Sequence, residues 1–282
     1  MHVNMQKEEI DKYLEKITTE LKLRDCSQRT IESYIFFLKP FLEKIENLED
    51  VTIEQTKNFL ASLIDKYGNK SRALAVSSLR FFFKRVVDRP DIFIKLETPK
   101  KEKRLPIVLS THEITNLIDS AEFVKTQLIV KTLYSSGLRV SELVNLKPGD
   151  LDLEENIGWV RKGKGSKDRI FKIAESLSKQ IKRYLNKNPE NKYLFSKNKP
   201  LTTRNIQILI KKLAKKAKIH KKVTPHTLRH SFATHLLDGG ANLLVIQQLL
   251  GHENLETTRI YTHISQEQIK SVKSPLDNLK IK

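Results

Sequence analysis

A break between Glu97 and Pro106 constrains the fold more than any other feature of this sequence. The segment contains two prolines and a run of charged residues, and it holds few apolar side chains. Because such a composition cannot contribute to a hydrophobic core, the segment is predicted to be an exposed linker. The chain is therefore expected to fold as two domains, residues 1–96 and 107–282, joined by residues 97–106.

The first domain is predicted to be a bundle of helices. Apolar residues recur at three- and four-residue spacing through four stretches, which indicates one buried face on each helix. The helices are expected at residues 9–23, 27–45, 52–67 and 69–87. Pro40 is expected to interrupt or bend the second of them, because proline removes a helical hydrogen bond.

The second domain is predicted to be mainly helical with a small β-sheet. Residues 157–161 and 169–173 have strand character and flank a glycine- and lysine-rich stretch, which is typical of a β-hairpin. Helices are expected after Ser110 as a cap and at residues 123–136, 175–188, 203–218, 227–238 and 242–250. The fold class is therefore mainly α, with the sheet confined to the C-terminal domain.

The charge of the chain favours a polyanionic partner. The formal net charge is +19. Residues 1–99 carry 17 basic and 16 acidic side chains, whereas residues 100–282 carry 35 and 17. An asymmetry of this kind points to contact with nucleic acid rather than to general solubility. Solvated surfaces in a lysine-rich chain are the alternative, and the basic face of the helix at residues 69–87 is open to both interpretations.

Other classes of protein fit the sequence poorly. One cysteine, Cys26, excludes an internal disulfide and a thiolate-built metal site. The first residues lack the apolar run of a signal peptide, and no stretch is long and apolar enough to span a membrane. A cytoplasmic protein without a membrane partner is expected.

Two segments in the second half carry residues suited to chemistry on an anion. Thr224 and Pro225 define the start of a helix, which places His226 and Arg229 on one face in its first turn. A helix N-terminus favours an anion there. Further on, Gly251 suits the left-handed end of a helix, and the sequence continues through His252 to Tyr261. Each of these residues alone would more often be an ordinary packing or surface residue.

Taken together, residues 224–263 and the segment Tyr134-Ser135-Ser136-Gly137-Leu138-Arg139-Val140-Ser141-Glu142-Leu143 resemble the signature boxes of the tyrosine recombinase (phage integrase) family. The likeness is closest to the Xer branch, which resolves chromosome dimers, and it spans the two-domain layout and most of residues 106–263. The resemblance implies a helical, SAM-like core-binding domain followed by a catalytic domain. It also implies site-specific recombination of DNA through a 3′-phosphotyrosyl intermediate.

The resemblance implies a catalytic role for six residues. These are Arg139, Lys164, His226, Arg229, His252 and the nucleophile Tyr261. In this scheme the two arginines bind the phosphate oxygens, with which a guanidinium pairs in a planar fork. His226 is the candidate base for the phenol, His252 donates to a phosphate oxygen, and Lys164 protonates the departing 5′ oxygen. Glu142 either orients Arg139 or is an ordinary acid at a helix start.

No cofactor and no metal are expected, because the arginines replace a metal and the covalent intermediate keeps the energy of the cleaved bond. The implied partner is double-stranded DNA, with a homotetramer on two DNA sites in synapsis. The tail from residue 265 to 282 is expected either to dock on a neighbouring protomer, as in relatives, or to pack on its own domain. Two alternatives to recombination stay open: DNA relaxation by a type IB topoisomerase-like enzyme, and DNA binding without catalysis.

Overall fold

The structure is a computed structural model that describes residues 5–99, 106–161, 168–251 and 274–278. The chain divides into two compact units, Met1–Arg104 and Leu105–Lys282. Each unit encloses a hydrophobic core of its own. The fold is mainly helical with one small sheet in the second unit, which confirms the predicted fold class.

The first unit is a helical bundle built as the apolar periodicity predicts. Its helices are α1 (Lys7–Lys22), α2 (Gln28–Leu42), α3 (Ile53–Ala61), α4 (Asn69–Arg85) and the short α5 (Pro90–Phe93). Two predictions need correction. The helix α2 runs through Pro40 to Leu42, so the expected interruption is absent, because hydrogen bonding continues past the proline from the Glu43 N–H to the Lys39 carbonyl at 3.0 Å. The helix α3 ends at Ala61 and not at Tyr67, and turns follow it.

Aromatic side chains hold this bundle together. Phe41 on α2 makes edge-to-face contacts with Phe59 on α3 and Phe83 on α4, at centroid distances of 5.2 and 5.8 Å. Edge-to-face pairs add to the stabilisation that burial of the rings provides. The polar face of α4 exposes Lys70, Arg80, Lys84 and Arg85.

The second unit surrounds the sheet with helices. Its helices are α6 (Thr111–Asp119), α7 (Val124–Ser136), α8 (Val140–Asn145), α9 (Glu175–Asn186), α10 (Thr203–Lys216), α11 (Pro225–Asp238) and α12 (Leu243–Leu250). The helix α11 buries one apolar face, which carries Leu228, Phe232 and Leu236. The described part of the tail packs on the same unit: Leu276 is buried, and the Ser274 hydroxyl donates to the Ser135 carbonyl.

The sheet is antiparallel and has the strand order β1-β2-β3, with β1 at Leu151–Asp152, β2 at Ile157–Val160 and β3 at Arg169–Lys172. The predicted hairpin is confirmed in the pairing of β2 with β3. The strand β1 and the short helices α5 and α8 were not expected, because each is too short to show a periodic pattern.

Two glycines end the helices that lead to the candidate site. Gly137 follows α7 with φ 58° and Gly251 follows α12 with φ 61°, both in the left-handed region that favours glycine. An ideal Cβ on Gly137 would lie 2.5 Å from the ring of Phe232, so no other residue fits there without displacement. No described helix is long and apolar enough to cross a membrane.

Candidate functional site

The guanidinium groups of three arginines converge on the C-terminal end of α12. The last carbonyls of a helix lack intrahelical partners and carry the negative end of the helix dipole, so they accept readily from cations. The hydrogen bonds run from Arg169 to Leu249 (2.6 Å), from Arg229 to Leu250 (2.5 Å) and from Arg139 to Gly251 (3.0 Å). We call Arg139, Arg169 and Arg229 the arginine cluster.

Arg229 is the deepest member of the cluster. It lies on α11, it is only 5% exposed, and it also donates to the carbonyl of Gly137 at 2.6 Å. One guanidinium therefore joins the ends of α7 and α12. This contact brings the sequence around Arg139 next to the segment that ends at Gly251.

The carboxylate of Glu142 organises the other two arginines. Its Oε1 accepts from Arg139 Nη1 at 2.8 Å, and its Oε2 accepts from Arg169 Nη2 at 2.6 Å and from the backbone N–H of Arg139 at 2.7 Å. The Glu142 side chain is 8% exposed. Glu142 thus pairs with Arg139 and also caps the start of α8, so both interpretations of this residue apply together.

The cluster carries more positive than negative charge. Burial lowers the pKa of the Arg229 guanidinium to about 10, and the charges of Arg139 and Arg169 act in the same direction against that of Glu142. Burial also lowers the pKa of Arg169. Since three guanidinium groups lie around one carboxylate, an anion bound here would relieve their mutual repulsion.

His226 lies where its sequence context predicts, one residue into α11. The hydroxyl of Thr224 accepts from the Thr227 backbone N–H, and Pro225 occupies the first helical position. His226 is exposed, whereas Arg229, one turn later, is buried. The structure therefore places Arg139, His226 and Arg229 on adjoining segments of one unit.

Three of the predicted site residues, Lys164, His252 and Tyr261, lie outside the described residues. Their neighbours in the sequence are described, because β2 and β3 flank the stretch that contains Lys164, and Gly251 directly precedes His252.

A cleft of about 570 Å³ opens beside Arg139. Its lining includes the basic side chains of Lys147 and Arg161 and the aromatic side chains of Trp159 and Tyr193. The carboxylates of Glu142 and Asp150 also line the cleft. The basic side chains suit contact with phosphates of a DNA backbone. Within residues 5–99, 106–161, 168–251 and 274–278, no group of three or more His, Cys, Asp and Glu residues could hold a metal ion.

Sequence reasoning missed Arg169. A signal was available, because side chains alternate along a strand and Arg169 therefore shares a face with Phe171, which is fully buried. An arginine on the buried face of a strand requires partners in the interior. Those partners, Glu142 and the Leu249 carbonyl, come from distant segments and cannot be read from local spacing.

Both units match models of one protein family. Residues 108–268 match the phage integrase family, and residues 13–91 match the phage integrase N-terminal SAM-like domain. The chain is 39% identical over 271 residues to the tyrosine recombinase XerA of Thermococcus kodakarensis, covering 93% of this chain and 94% of that protein. It is 35% identical over 288 residues to the tyrosine recombinase XerD of Staphylococcus haemolyticus, covering 93% and 96%.

Solved structures agree with this assignment. A crystal structure of XerA recombinase matches with a TM-score of 0.51 and 36% identity over 93% of this chain and 96% of that chain. A lambda integrase dimer bound to a COC′ core site has a TM-score of 0.71 at 20% identity, covering 91% and 98%, and this likeness shows the fold alone. The chain belongs to the tyrosine recombinase (phage integrase) family.

Proposed function

We propose that this protein is a site-specific DNA recombinase that cuts and rejoins DNA through a 3′-phosphotyrosyl intermediate. The observation that carries the proposal is the arginine cluster, which holds excess positive charge around a single carboxylate in a member of the tyrosine recombinase family. A phosphodiester is the anion that such a cluster fits best, because guanidinium groups pair with its oxygens in a planar fork.

In the proposed reaction the phenol oxygen of Tyr261 attacks the scissile phosphorus, and the bond from phosphorus to the 5′ oxygen breaks. His226 takes the phenol proton, and Lys164 supplies a proton to the leaving 5′ oxygen. His252 and Arg139 bind the non-bridging oxygens, where negative charge builds up in the transition state, and the positive charge of Arg229 adds to their effect. Attack by a different 5′ hydroxyl on the phosphotyrosine reverses these transfers and joins the new strand, so no ATP is consumed.

Arg139 is the cluster member best placed to meet DNA. Its side chain is 28% exposed and it borders the cleft described above. Its bonds from Nη1 to Glu142 and from Nη2 to Gly251 leave other N–H groups of the guanidinium, which has five, to bind a phosphate. Arg229, buried behind it, would act mainly by holding the site together and adding positive charge.

The finer assignment extends the same proposal. We propose that four protomers bring two DNA sites together, with two active at a time, and that the task is chromosome dimer resolution. The names of the relatives XerA and XerD support this assignment, and so does a lambda integrase fold neighbour whose structure is a tetramer bound to a Holliday junction. Measuring the mass of the complex on two tethered sites would test the number of protomers.

The proposed chemistry is testable by capture of the covalent adduct. Wild type and Tyr261→Phe would be incubated, with EDTA present, with a library of nicked duplexes carrying randomised arms. Protein-linked DNA would then be recovered under denaturing conditions and sequenced. We expect an adduct from wild type alone, with captured sequences that converge on one site.

The other outcomes distinguish the alternatives. Adducts on unrelated sequences, together with relaxation of supercoiled DNA, would indicate a type IB topoisomerase-like activity. Salt-sensitive binding of the library without any adduct would indicate a DNA-binding protein that does not cut. An adduct from Tyr261→Phe equal to that of wild type would reject Tyr261 as the nucleophile.

A further inference from the structure

Arg169 lies at the junction of three segments that the proposed chemistry needs. It is the first residue of β3, five positions after Lys164 in the sequence. Its Nη2 donates to Glu142 Oε2 at 2.6 Å, and its Nη1 donates to the carbonyl of Leu249 at 2.6 Å. One guanidinium thus connects the hairpin, the carboxylate that holds Arg139, and the end of α12.

These contacts are buried, which sets them apart from surface ion pairs. The side chains of Arg169 and Glu142 are 11% and 8% exposed. Removing one partner of a buried ion pair leaves the other charge without compensation, whereas an exposed pair contributes little. Loss of Arg169 would leave the Glu142 carboxylate with its two bonds from Arg139 and would remove the contact that ties its Oε2 to the hairpin.

Gly251 provides the space that Arg169 occupies. An ideal Cβ at position 251 would lie 2.7 Å from Arg169 Cδ, closer than real Cβ contacts, and 3.0 Å from Nε, which is unusually tight. The absence of a side chain at Gly251 thus lets the arginine lie against the end of α12. The next residue in the sequence is His252.

We propose that Arg169 is a positioning residue for the strand-transfer reaction. It sets the orientation of Arg139 through Glu142 and fixes the end of α12 relative to the hairpin, without contacting DNA itself. The inference rests on the proposed function, because its consequence for rate requires that Arg139 binds the scissile phosphate.

The kinetic test compares Arg169→Gln and Arg169→Lys with wild type and with Arg183→Gln, which alters an exposed arginine on α9. The captured site, placed on a nicked duplex, would be used to measure the single-turnover cleavage rate at saturating protein and the dissociation constant. We expect Arg169→Gln to lower the rate about 10- to 100-fold, as is usual for groups that orient a functional residue, and to leave the dissociation constant within about twofold. Arg169→Lys should restore part of the rate, since an ammonium can still pair with Glu142.

A double mutant isolates the route of the effect. If Arg169 acts through Glu142, Arg169→Gln combined with Glu142→Gln should slow cleavage little more than the worse single variant. Multiplication of the two single effects would overturn the proposed route. A dissociation constant that rises in step with the loss of rate would also overturn the proposal, because it would mean that Arg169 contacts DNA.

A second readout does not depend on activity. In the DNA-free protein, the guanidinium N–H resonances of Arg139, assigned by their loss in Arg139→Lys, should be sharp in wild type and Arg183→Gln. They should broaden or exchange faster in Arg169→Gln, because the Glu142 carboxylate has lost one of the partners that fix its orientation. If wild type cuts no DNA while these resonances respond to Arg169, the proposed function fails and the positioning contact stands. Unchanged resonances together with an unchanged rate would reject the inference. If Arg169→Gln does not fold, the cleavage rate and the Arg139 resonances are measured in Arg169→Lys instead.

Discussion

At the scale of single residues, Arg229 joins two helix ends that are far apart in the sequence. Its bonds to Gly137 and Leu250 satisfy carbonyls that the helices α7 and α12 leave open, and its charge is buried with them. The residue type therefore contributes to stability as well as to the proposed chemistry, since lysine cannot span two carbonyls with a planar fork.

Arg229→Lys should lower the free energy of unfolding of the second unit by about 2 kcal/mol, because at least one charge-assisted hydrogen bond is lost. The single tryptophan, Trp159, lies in this unit, so its fluorescence during urea unfolding reports the change. Cleavage of nicked DNA should fall about 100-fold or more. Arg183→Lys, on the surface of α9, is the matched control and should alter neither quantity. Equal unfolding midpoints for the two lysine variants would contradict a structural role of Arg229.

Lys131 is a buried amine whose charge costs stability. It is 5% exposed and donates to the side-chain oxygens of Gln127 and Gln180, which are neutral. Burial lowers its pKa from the usual 10.5, with only a partial opposing effect from the charge of Asp119. At pH values between the lowered pKa of Lys131 in the folded protein and 10.5, the unfolded chain binds more protons than the folded protein does. The free energy of unfolding therefore rises with pH in that window.

Lys131→Met should therefore raise the free energy of unfolding above that of wild type, and the gain should be larger at pH 7 than at pH 10. The advantage should shrink as the pH approaches 10.5, because the native protein then releases the proton and no longer bears the buried charge. Urea unfolding of both proteins at pH 7 and at pH 10, with the exposed Lys212→Met as control, measures this difference. An advantage that does not change with pH would show that burial of the charge is not its source.

At the scale of elements, helix ends were predicted best from the sequence where the signal was local. Ser110 and Thr224 cap their helices, and Gly137 and Gly251 end theirs, because each effect depends on residues within one turn. Two of the three arginines of the cluster were named from the sequence, and Arg169 was missed because its partners are fixed by tertiary packing. Local signals also failed for α3, where apolar residues beyond Ala61 continue the pattern although the helix has ended.

The end of α12 gives a prediction at this scale. Gly251→Ala should lower the unfolding free energy by about 1 to 3 kcal/mol, because alanine is strained at φ 61° and its Cβ would displace Arg169. Cleavage should slow as well if Arg169 positions Arg139. Gly149→Ala is the control, since nothing lies within 4 Å of its Cβ position, and it should leave stability unchanged or slightly raised. Gly251→Ala and Gly149→Ala with the same stability would rule out the close packing against Arg169.

At the scale of the whole molecule, hydrophobic cores are present in both units, whereas the excess positive charge is concentrated in one part of the chain. Each unit has its own hydrophobic core, so each has what it needs to fold alone. Nearly all the excess positive charge, by contrast, belongs to residues 100–282. The proposed DNA affinity should follow the charge, because each phosphate that a protein neutralises releases condensed counterions.

A fragment of residues 106–282 should fold and bind duplex DNA with an affinity that falls steeply with salt, whereas a fragment of residues 1–99 should bind weakly. Fluorescence anisotropy from about 50 to 200 mM salt gives, for each fragment, the slope of the logarithm of affinity against the logarithm of salt concentration. This slope falls by roughly 0.9 for each phosphate contact.

The exposed basic face of α4 is tested in the fragment of residues 1–99. The double variant Arg80→Gln, Lys84→Gln removes two charges from that face, and Lys12→Gln, Lys16→Gln on α1 is the control. A steep slope in the first fragment that only the α4 pair abolishes would show that a local basic face outweighs net charge. Equal, shallow slopes in both fragments would contradict the charge argument and favour a surface that is merely solvated.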